Sequence, residues 1–162
     1  MLQEQIKKEL TESLKSGDQL KRLVLGTLLT AIKNRELSKR THLSKDVTDT
    51  IELEKQSRLN DEEVLEVIVS EVKKRKDSVE QFTAGGRKDL AEKEEAEEKI
   101  LKAYLPEQLS DEVVREEIKK AIESSGAKEP KEMGKVMALV MPKLKGRADG
   151  SVISRIAKEL LG

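Results

Sequence analysis

The residues best suited to chemistry in this chain lie in one short stretch, where cations and glycines stand close together. Three cations fall within the five residues 143–147, and a fourth precedes them by one or two helical turns. Ammonium and guanidinium groups beside the free N–H groups of a helix N-terminus suit a phosphate. The candidate phosphate-binding residues are Lys135, Lys143, Lys145, Gly146, Arg147 and Gly150.

Turn chemistry offers a second explanation of the same stretch. Gly146 can supply a positive φ at the end of one helix, and Asp149 or Ser151 can cap the next. The residue order also differs from the Gly-x4-Gly-Lys-Ser/Thr of a nucleotide-binding Walker loop. Spacing alone therefore leaves phosphate binding and a plain turn both open.

No catalytic or metal-binding set can be assembled elsewhere in the sequence. His42 is the only histidine and there is no cysteine, which excludes a catalytic thiolate, a disulfide and a multi-histidine metal site. The carboxylates of residues 92–98 would spread around a helix, so we expect a solvated face rather than a cation site. We accordingly expect no catalytic residue, no metal and no cofactor.

A second basic run, residues 73–76 (KKRK), lies inside a predicted helix. Four consecutive helical residues point in different directions, so a solvated face is the simpler interpretation. The alternative is that some of these side chains join Arg87 and Lys88 in a surface that contacts phosphates.

Composition favours packed helices. Charged residues make up 40% of the chain, and Phe82 and Tyr104 are its only aromatic residues, so the core must be aliphatic. The net charge is zero, but residues 89–117 carry eleven acidic and four basic groups, and residues 131–158 carry seven basic and two acidic. Such segregation allows a basic face for a polyanion despite the neutral total.

Apolar residues recur at helical spacing through the N-terminal part of the chain. The pattern predicts a helical hairpin whose second helix fades near Leu37. Residues 38–60 lack a clear period, and residues 51–59 could form a short helix or an irregular connection. Asp61 is the expected N-cap of the next helix, which should run to about Thr83.

The C-terminal part is predicted to be a separate helical unit. Pro106 should close a helix over residues 90–105, and we place the domain boundary there, between residues 1–105 and 106–162. Ser110 is the expected N-cap of the first of three short helices, and Pro142 should interrupt the second. The predicted fold class is all-α: an N-terminal helical hairpin or bundle followed by a small three-helix domain.

The expected compartment is the cytoplasm, or an organelle matrix if a transit peptide has been removed. The first residues lack the apolar run of a signal peptide, and no stretch approaches the ~20 apolar residues of a membrane span. We therefore expect no membrane partner.

Five segments carry recognisable motifs: residues 75–78 (RKDS), 84–90 (AGGRKDL), 100–110 (ILKAYLPEQLS), 133–137 (MGKVM) and 141–150 (MPKLKGRADG). These motifs resemble those of YqeY-like proteins of the GatB/YqeY family. Residues 40–60 are the main departure, since this segment is longer than is usual in the family. The resemblance otherwise covers nearly the whole chain.

The resemblance implies a binding function without chemistry. The C-terminal domain of the family is similar to the tail of GatB, a subunit of the glutamine-dependent amidotransferase that corrects mischarged tRNA, and that tail contacts tRNA. Lys135, Lys143, Lys145 and Arg147 would then contact phosphates of tRNA or another structured RNA, with Gly146 and Gly150 allowing close approach of the chain. A carbon–nitrogen ligase activity with glutamine as amido donor would be assigned through the family only. The alternative is a protein-interaction adaptor for a translation-related enzyme.

Overall fold

The aliphatic stripes fold into eight α-helices and one short 3-10 helix, without a strand, which confirms the all-α class. The computed structural model describes all residues, 1–162, and divides into two units, Met1–Tyr104 and Leu105–Gly162. The first unit contains α1 (Leu2–Ser16), α2 (Gln19–Leu43), α3 (Thr50–Ser57), α4 (Asp61–Ala84) and α5 (Lys88–Lys102). The second contains α6 (Asp111–Ser125), the 3-10 helix Pro130–Glu132, α7 (Met133–Leu144) and α8 (Gly150–Leu161).

The helix α2 is longer than its apolar pattern predicts. It continues past Leu37 to Leu43, because Lys39 in its last part binds Glu63 of α4, with Nζ–Oε distances of 2.7 and 2.9 Å. A polar tertiary contact thus extends the helix where hydrophobic periodicity has ended. His42, expected in a loop, lies exposed in the last turn of this helix.

The segment between α2 and α4 contains an ordered helix, α3. The carboxylate of Asp49 caps it by accepting a hydrogen bond from the Glu52 N–H at 2.8 Å. The N-cap of α4 is Asn60 rather than Asp61, and it forms a capping box with Glu63. Asn and Asp cap helices about equally well, so residue type does not distinguish these two adjacent positions.

The hairpin of α4 and α5 holds an ion cluster where a solvated acidic face was expected. Glu97 and Glu98 are buried, and Glu98 pairs with Lys102. The Nε of Arg75 lies 2.9 Å from Oε2 of Glu97 and 3.6 Å from Oε2 of Glu94. Neither Arg75 Nε nor Oε2 of Glu94 has an aligned hydrogen bond, so the contact between these two atoms is one of charge. The solvated-face interpretation is therefore wrong for these carboxylates.

A second polar cluster joins α1 and α2 to the end of α5. Oε2 of Glu9 accepts the hydroxyl of Tyr104 at 2.7 Å and lies 2.7 Å from Nζ of Lys21, while the Gln5 amide donates to Oε1 at 3.0 Å. Bonds from Lys21, Tyr104 and Gln5 lower the pKa of Glu9 to about 2. Burial and the bond to Glu9 raise the pKa of Tyr104.

The helix α5 ends at Lys102 rather than Leu105, and Tyr104 follows in a turn.

The low pKa of Glu9 makes the first unit sensitive to acid. Because the folded pKa lies below the ordinary value, the stabilisation is complete above about pH 5 and is lost as the pH falls toward about 2. We expect Glu9→Gln to remove about 1–2 kcal/mol at pH 7 and to flatten the loss of stability between these pH values. Urea unfolding at a series of pH values measures both effects. Glu12→Gln, which changes an exposed carboxylate of the same helix, is the control and should preserve the wild-type pH profile.

The Leu105–Gly162 unit packs three helices around one aliphatic core. The helix α7 continues through Pro142 to Leu144, contrary to the expected interruption. Pro142 lies in the last turn, where the missing N–H costs a single backbone bond, and the burial of Leu144 holds that turn in place. The core residues are Val114, Ile118, Ala121, Ala127, Val136, Val140, Leu144, Ile153, Ile156, Ala157 and Leu161.

Candidate functional site

The segment between α7 and α8 is a tight turn. Gly146 has a φ of 74°, a left-handed conformation that favours glycine, and it is buried. The carbonyl of Leu144 accepts the N–H groups of Arg147 at 2.9 Å and Ala148 at 3.1 Å, which satisfies the end of α7. The expected role of Gly146 at a helix end is therefore real, and its backbone determines the course of the loop.

Two residues before α6 hold this loop in place. The side-chain amide of Gln108 donates to the carbonyl of Gly146 at 2.6 Å, and the N–H of Leu109 donates to the carbonyl of Arg147 at 2.8 Å. The same Gln108 amide also donates to the carbonyl of Pro106 at 2.9 Å. These contacts join two of the motifs that carry the family resemblance, residues 100–110 and 141–150.

Sequence reasoning missed Gln108 and Leu109 as supports of the site. Residues 100–110 were informative for family resemblance, but nothing local in them indicates a partner 38 positions away. A glutamine two residues after a proline fits an ordinary surface turn equally well. Only the juxtaposition of the two motifs in the fold reveals the contact.

The structure gathers five of the six candidate residues and sets one apart. Lys143, in the last turn of α7, is followed directly by the loop and by Gly150 at the start of α8. Lys135 lies in the first turns of α7, about 12 Å along the axis from Lys143 at 1.5 Å per residue. Lys135 and Lys143 thus lie near opposite ends of α7, and only Lys143 adjoins the turn.

Lys135 and Lys143 each lie beside a carboxylate. Nζ of Lys135 lies 2.9 Å from Oε1 of Glu132, and Nζ of Lys143 lies 3.6 Å from Oε2 of Glu117. The pKa of Glu132 is lowered chiefly by the backbone N–H of Lys128 and then by Lys135. Both carboxylates are near the surface, so solvent weakens these pairs and a polyanion can compete for the lysines.

The N-terminus of α8 is capped from within the chain. The carboxylate of Asp149, not the hydroxyl of Ser151, is the cap, and it accepts the N–H of Ser151 at 2.8 Å and its Oγ–H at 2.7 Å. An anion approaching this helix end would meet a negative charge. Phosphate contacts must therefore come from the cationic side chains rather than from free helical N–H groups.

Gly150 leaves space at the start of α8. Gly150 has no positive φ, and a Cβ placed on it would meet no atom within 4 Å, so space rather than backbone strain distinguishes this position. The half-buried Arg147 makes no ion pair within the chain. The arrangement can hold an anion by charge, and it contains no pair of groups set for proton transfer.

Neither metal clusters nor membrane spans are found in the structure. No group of three His, Cys, Asp or Glu side chains converges in a way that could hold a metal ion. None of the helices combines the length and apolar character needed to cross a membrane.

Comparison with known proteins finds fungal relatives. An uncharacterized protein of Schizosaccharomyces pombe is 37% identical over 109 residues, which cover 67% of this chain and 76% of that protein. The mitochondrial "Altered inheritance of mitochondria protein 41" is 31% identical over 63% of the chain in Candida glabrata and 34% identical over 63% in Pyrenophora tritici-repentis. The matched regions are 48% and 58% of those two proteins, so the chain spans about half the length of its mitochondrial relatives.

The expected cytoplasmic location is wrong on this comparison, because the relatives whose names state a compartment are mitochondrial. The expectation rested on the absence of an apolar signal run and of a membrane span. Neither feature distinguishes a cytoplasmic protein from one of the mitochondrial matrix.

The family model described as "Yqey-like protein" matches residues 48–161, which is more than half of the chain and includes the loop with its supporting segment. The chain therefore belongs to the YqeY-like protein family.

Proposed function

We propose that the Leu105–Gly162 unit is a non-catalytic binding module for tRNA or another structured RNA. The observation that carries the proposal is the cationic turn between α7 and α8, whose backbone is held by Gln108 and Leu109. Preorganised cations lose less entropy on binding than mobile ones, so a fixed turn favours contact with a defined phosphate array. The resemblance to the GatB tail supports the same kind of partner.

Each candidate residue has a part in this proposal. Lys143, Lys145 and Arg147 contact phosphates at the turn, and Lys135 reaches a phosphate farther along α7. Gly150 keeps a side chain out of the approach path, whereas the buried Gly146 acts through its positive φ, which sets the course of the turn. No aromatic residue lies in the unit, so base stacking contributes nothing and the RNA is recognised by shape and backbone charge.

The proposal predicts a salt-dependent affinity that the turn controls. We expect Lys145→Ala plus Arg147→Ala to weaken binding of labelled bulk tRNA about 10- to 100-fold at low salt. The slope of log K against log salt concentration, which is negative, should become shallower by roughly 1.5 to 2, because two phosphate contacts are lost. Fluorescence anisotropy titrations at several salt concentrations measure both quantities.

The matched control removes the same charge elsewhere in the unit. Lys119→Ala plus Lys158→Ala deletes two exposed lysines of α6 and α8 and should change the affinity less than threefold. Far-UV circular dichroism establishes that both variants are folded. Absence of wild-type binding at low salt, or equal losses in the two double variants, would contradict the proposed site.

A protein-interaction adaptor for a translation-related enzyme is the second candidate, and one observation favours it. Leu139 is 44% exposed and lies on α7 between Lys135 and Lys143 at four-residue spacing, where an RNA interface needs no apolar group. A pull-down with nuclease-treated lysate separates the two candidates. Partners that survive nuclease and are lost with Leu139→Ser favour the adaptor, and partners that vanish with nuclease favour RNA.

Activity and compartment are part of the same proposal. We infer no reaction from this chain alone, so hydrolysis of glutamine by the purified protein would contradict the non-catalytic assignment. A carbon–nitrogen ligase activity would require other subunits. The names of the fungal relatives support a mitochondrial setting.

A further inference from the structure

Among the surface cavities of the Met1–Tyr104 unit are three with volumes of about 490, 250 and 340 Å³. Small-molecule sites typically occupy ~300–1,000 Å³ and are mostly apolar with a few placed polar groups. The largest cavity has only Ala31 and Val67 as apolar lining, and the smallest is lined mainly by charged residues. Of these three, only the third combines a sufficient volume with an aromatic residue, Tyr104, and with Ile100 and Ala103.

The polar side chains that line this third cavity bond to one another. The Glu9 carboxylate accepts bonds from the Tyr104 hydroxyl, the Lys21 ammonium and the Gln5 amide, at 2.7 to 3.0 Å. With three donors engaged, Glu9 has little capacity to bind a cation or a hydroxyl of a ligand. The charge of Lys21 is likewise compensated by Glu9. This wall therefore gives the cavity a fixed shape rather than a reactive group.

The remaining charge at the cavity belongs to Lys99 of α5. Its side chain is exposed and makes no ion pair within the chain, although α5 is rich in carboxylates. A lysine without a carboxylate partner at the rim of an apolar cavity favours a ligand with an anionic end and a hydrocarbon body.

We propose that this cavity binds a small amphipathic carboxylate, with its hydrocarbon chain against Ile100, Ala103 and the ring of Tyr104 and its carboxylate at Lys99. The site lies outside the Leu105–Gly162 unit and is independent of the proposed RNA interface. It uses none of the cations assigned to phosphate contacts.

Tyr104 makes the proposal directly measurable, because the chain has no tryptophan and no other tyrosine. Octanoate, titrated below its micelle-forming concentration into the full chain, should change the tyrosine emission saturably. Octanamide, which has the same chain without the charge, should bind about two- to fivefold more weakly, as expected for one exposed ion pair. No saturable change with octanoate, or equal affinity for the two probes, would overturn the proposal.

Matched variants of α5 test the residue assignment. Lys99→Gln should reduce octanoate affinity to that of octanamide, whereas Lys93→Gln, an exposed lysine of the same helix outside the cavity, should leave it unchanged. Neither residue is buried, so both variants should fold, and circular dichroism establishes this. Amide chemical shifts provide a second readout: perturbations centred on Ile100 and Ala103 support the site, and perturbations centred elsewhere refute it.

Discussion

Replacing Ile156 with alanine is expected to destabilise the Leu105–Gly162 unit by about 2–5 kcal/mol, because the lost contacts and the resulting cavity add. Ile156 is fully buried at the centre of the core formed by α6, α7 and α8. The unit spans 58 residues (105 to 162), so its total stability should be of order 3–9 kcal/mol. One substitution therefore removes a large share of it.

Urea unfolding followed by circular dichroism measures this loss. Ile51→Ala is the matched control, since Ile51 is 81% exposed on α3 and its truncation should cost less than about 0.5 kcal/mol. Tyr104 emission follows the Met1–Tyr104 unit separately, because the other unit has no aromatic residue. If the midpoint for unfolding of the Leu105–Gly162 unit is the same in the two variants, Ile156 is not part of a tightly packed core.

Arg75→Met should destabilise the Met1–Tyr104 unit by about 3 kcal/mol. The substitution keeps much of the side-chain volume but leaves Glu97, which is 6% exposed, and Glu94 close together without their cation. Removing one member of a buried ion pair costs more than the pair contributes, because the remaining charge stays desolvated. The two adjacent carboxylates add mutual repulsion.

Thermal unfolding with a second substitution tests this explanation. Glu97→Gln in the Arg75→Met background should restore part of the lost stability, since it removes the uncompensated charge. Arg58→Met is the control. The Arg58 guanidinium lies 3.6 Å from the carboxylate of Glu54 and both side chains are largely exposed, so its loss should lower the free energy of unfolding by only about 0–1 kcal/mol. A double variant no more stable than Arg75→Met alone would mean that packing, not charge, explains the loss.

Hydrophobic periodicity accounts for most of the fold, because each helix buries one apolar stripe. Two of the errors fall where polar contacts decide the outcome. The helix α2 passes Leu37 because Lys39 reaches Glu63, and carboxylates of α5 are buried because Arg75 and Lys102 meet them. Hydrophobic periodicity does not indicate these pairs, since a charged residue on the inner face of a helix has the same local pattern as a solvated one.

The site was predictable only where its chemistry is local. The positive φ of Gly146 and capping by Asp149 follow from short-range turn rules, which the sequence expresses directly. The contacts of Gln108 and Leu109 with the turn depend on how the first helix of the unit meets the last two. The compensation of Lys143 by Glu117 is likewise a tertiary result that spacing does not contain.

Because the hydrogen bonds of Gln108 and Leu109 fix the turn, they determine which fragment of this protein can be fused to another protein with the turn intact. A fragment that starts at Ser110 retains all three helices of the unit but lacks both donors, so its turn should sample several geometries. A fragment that starts at Leu105 keeps them. The smallest fragment that keeps the turn intact therefore comprises the three helices and residues 105–109. Fusion to another protein should preserve the shape of the turn only when residues 105–109 are included.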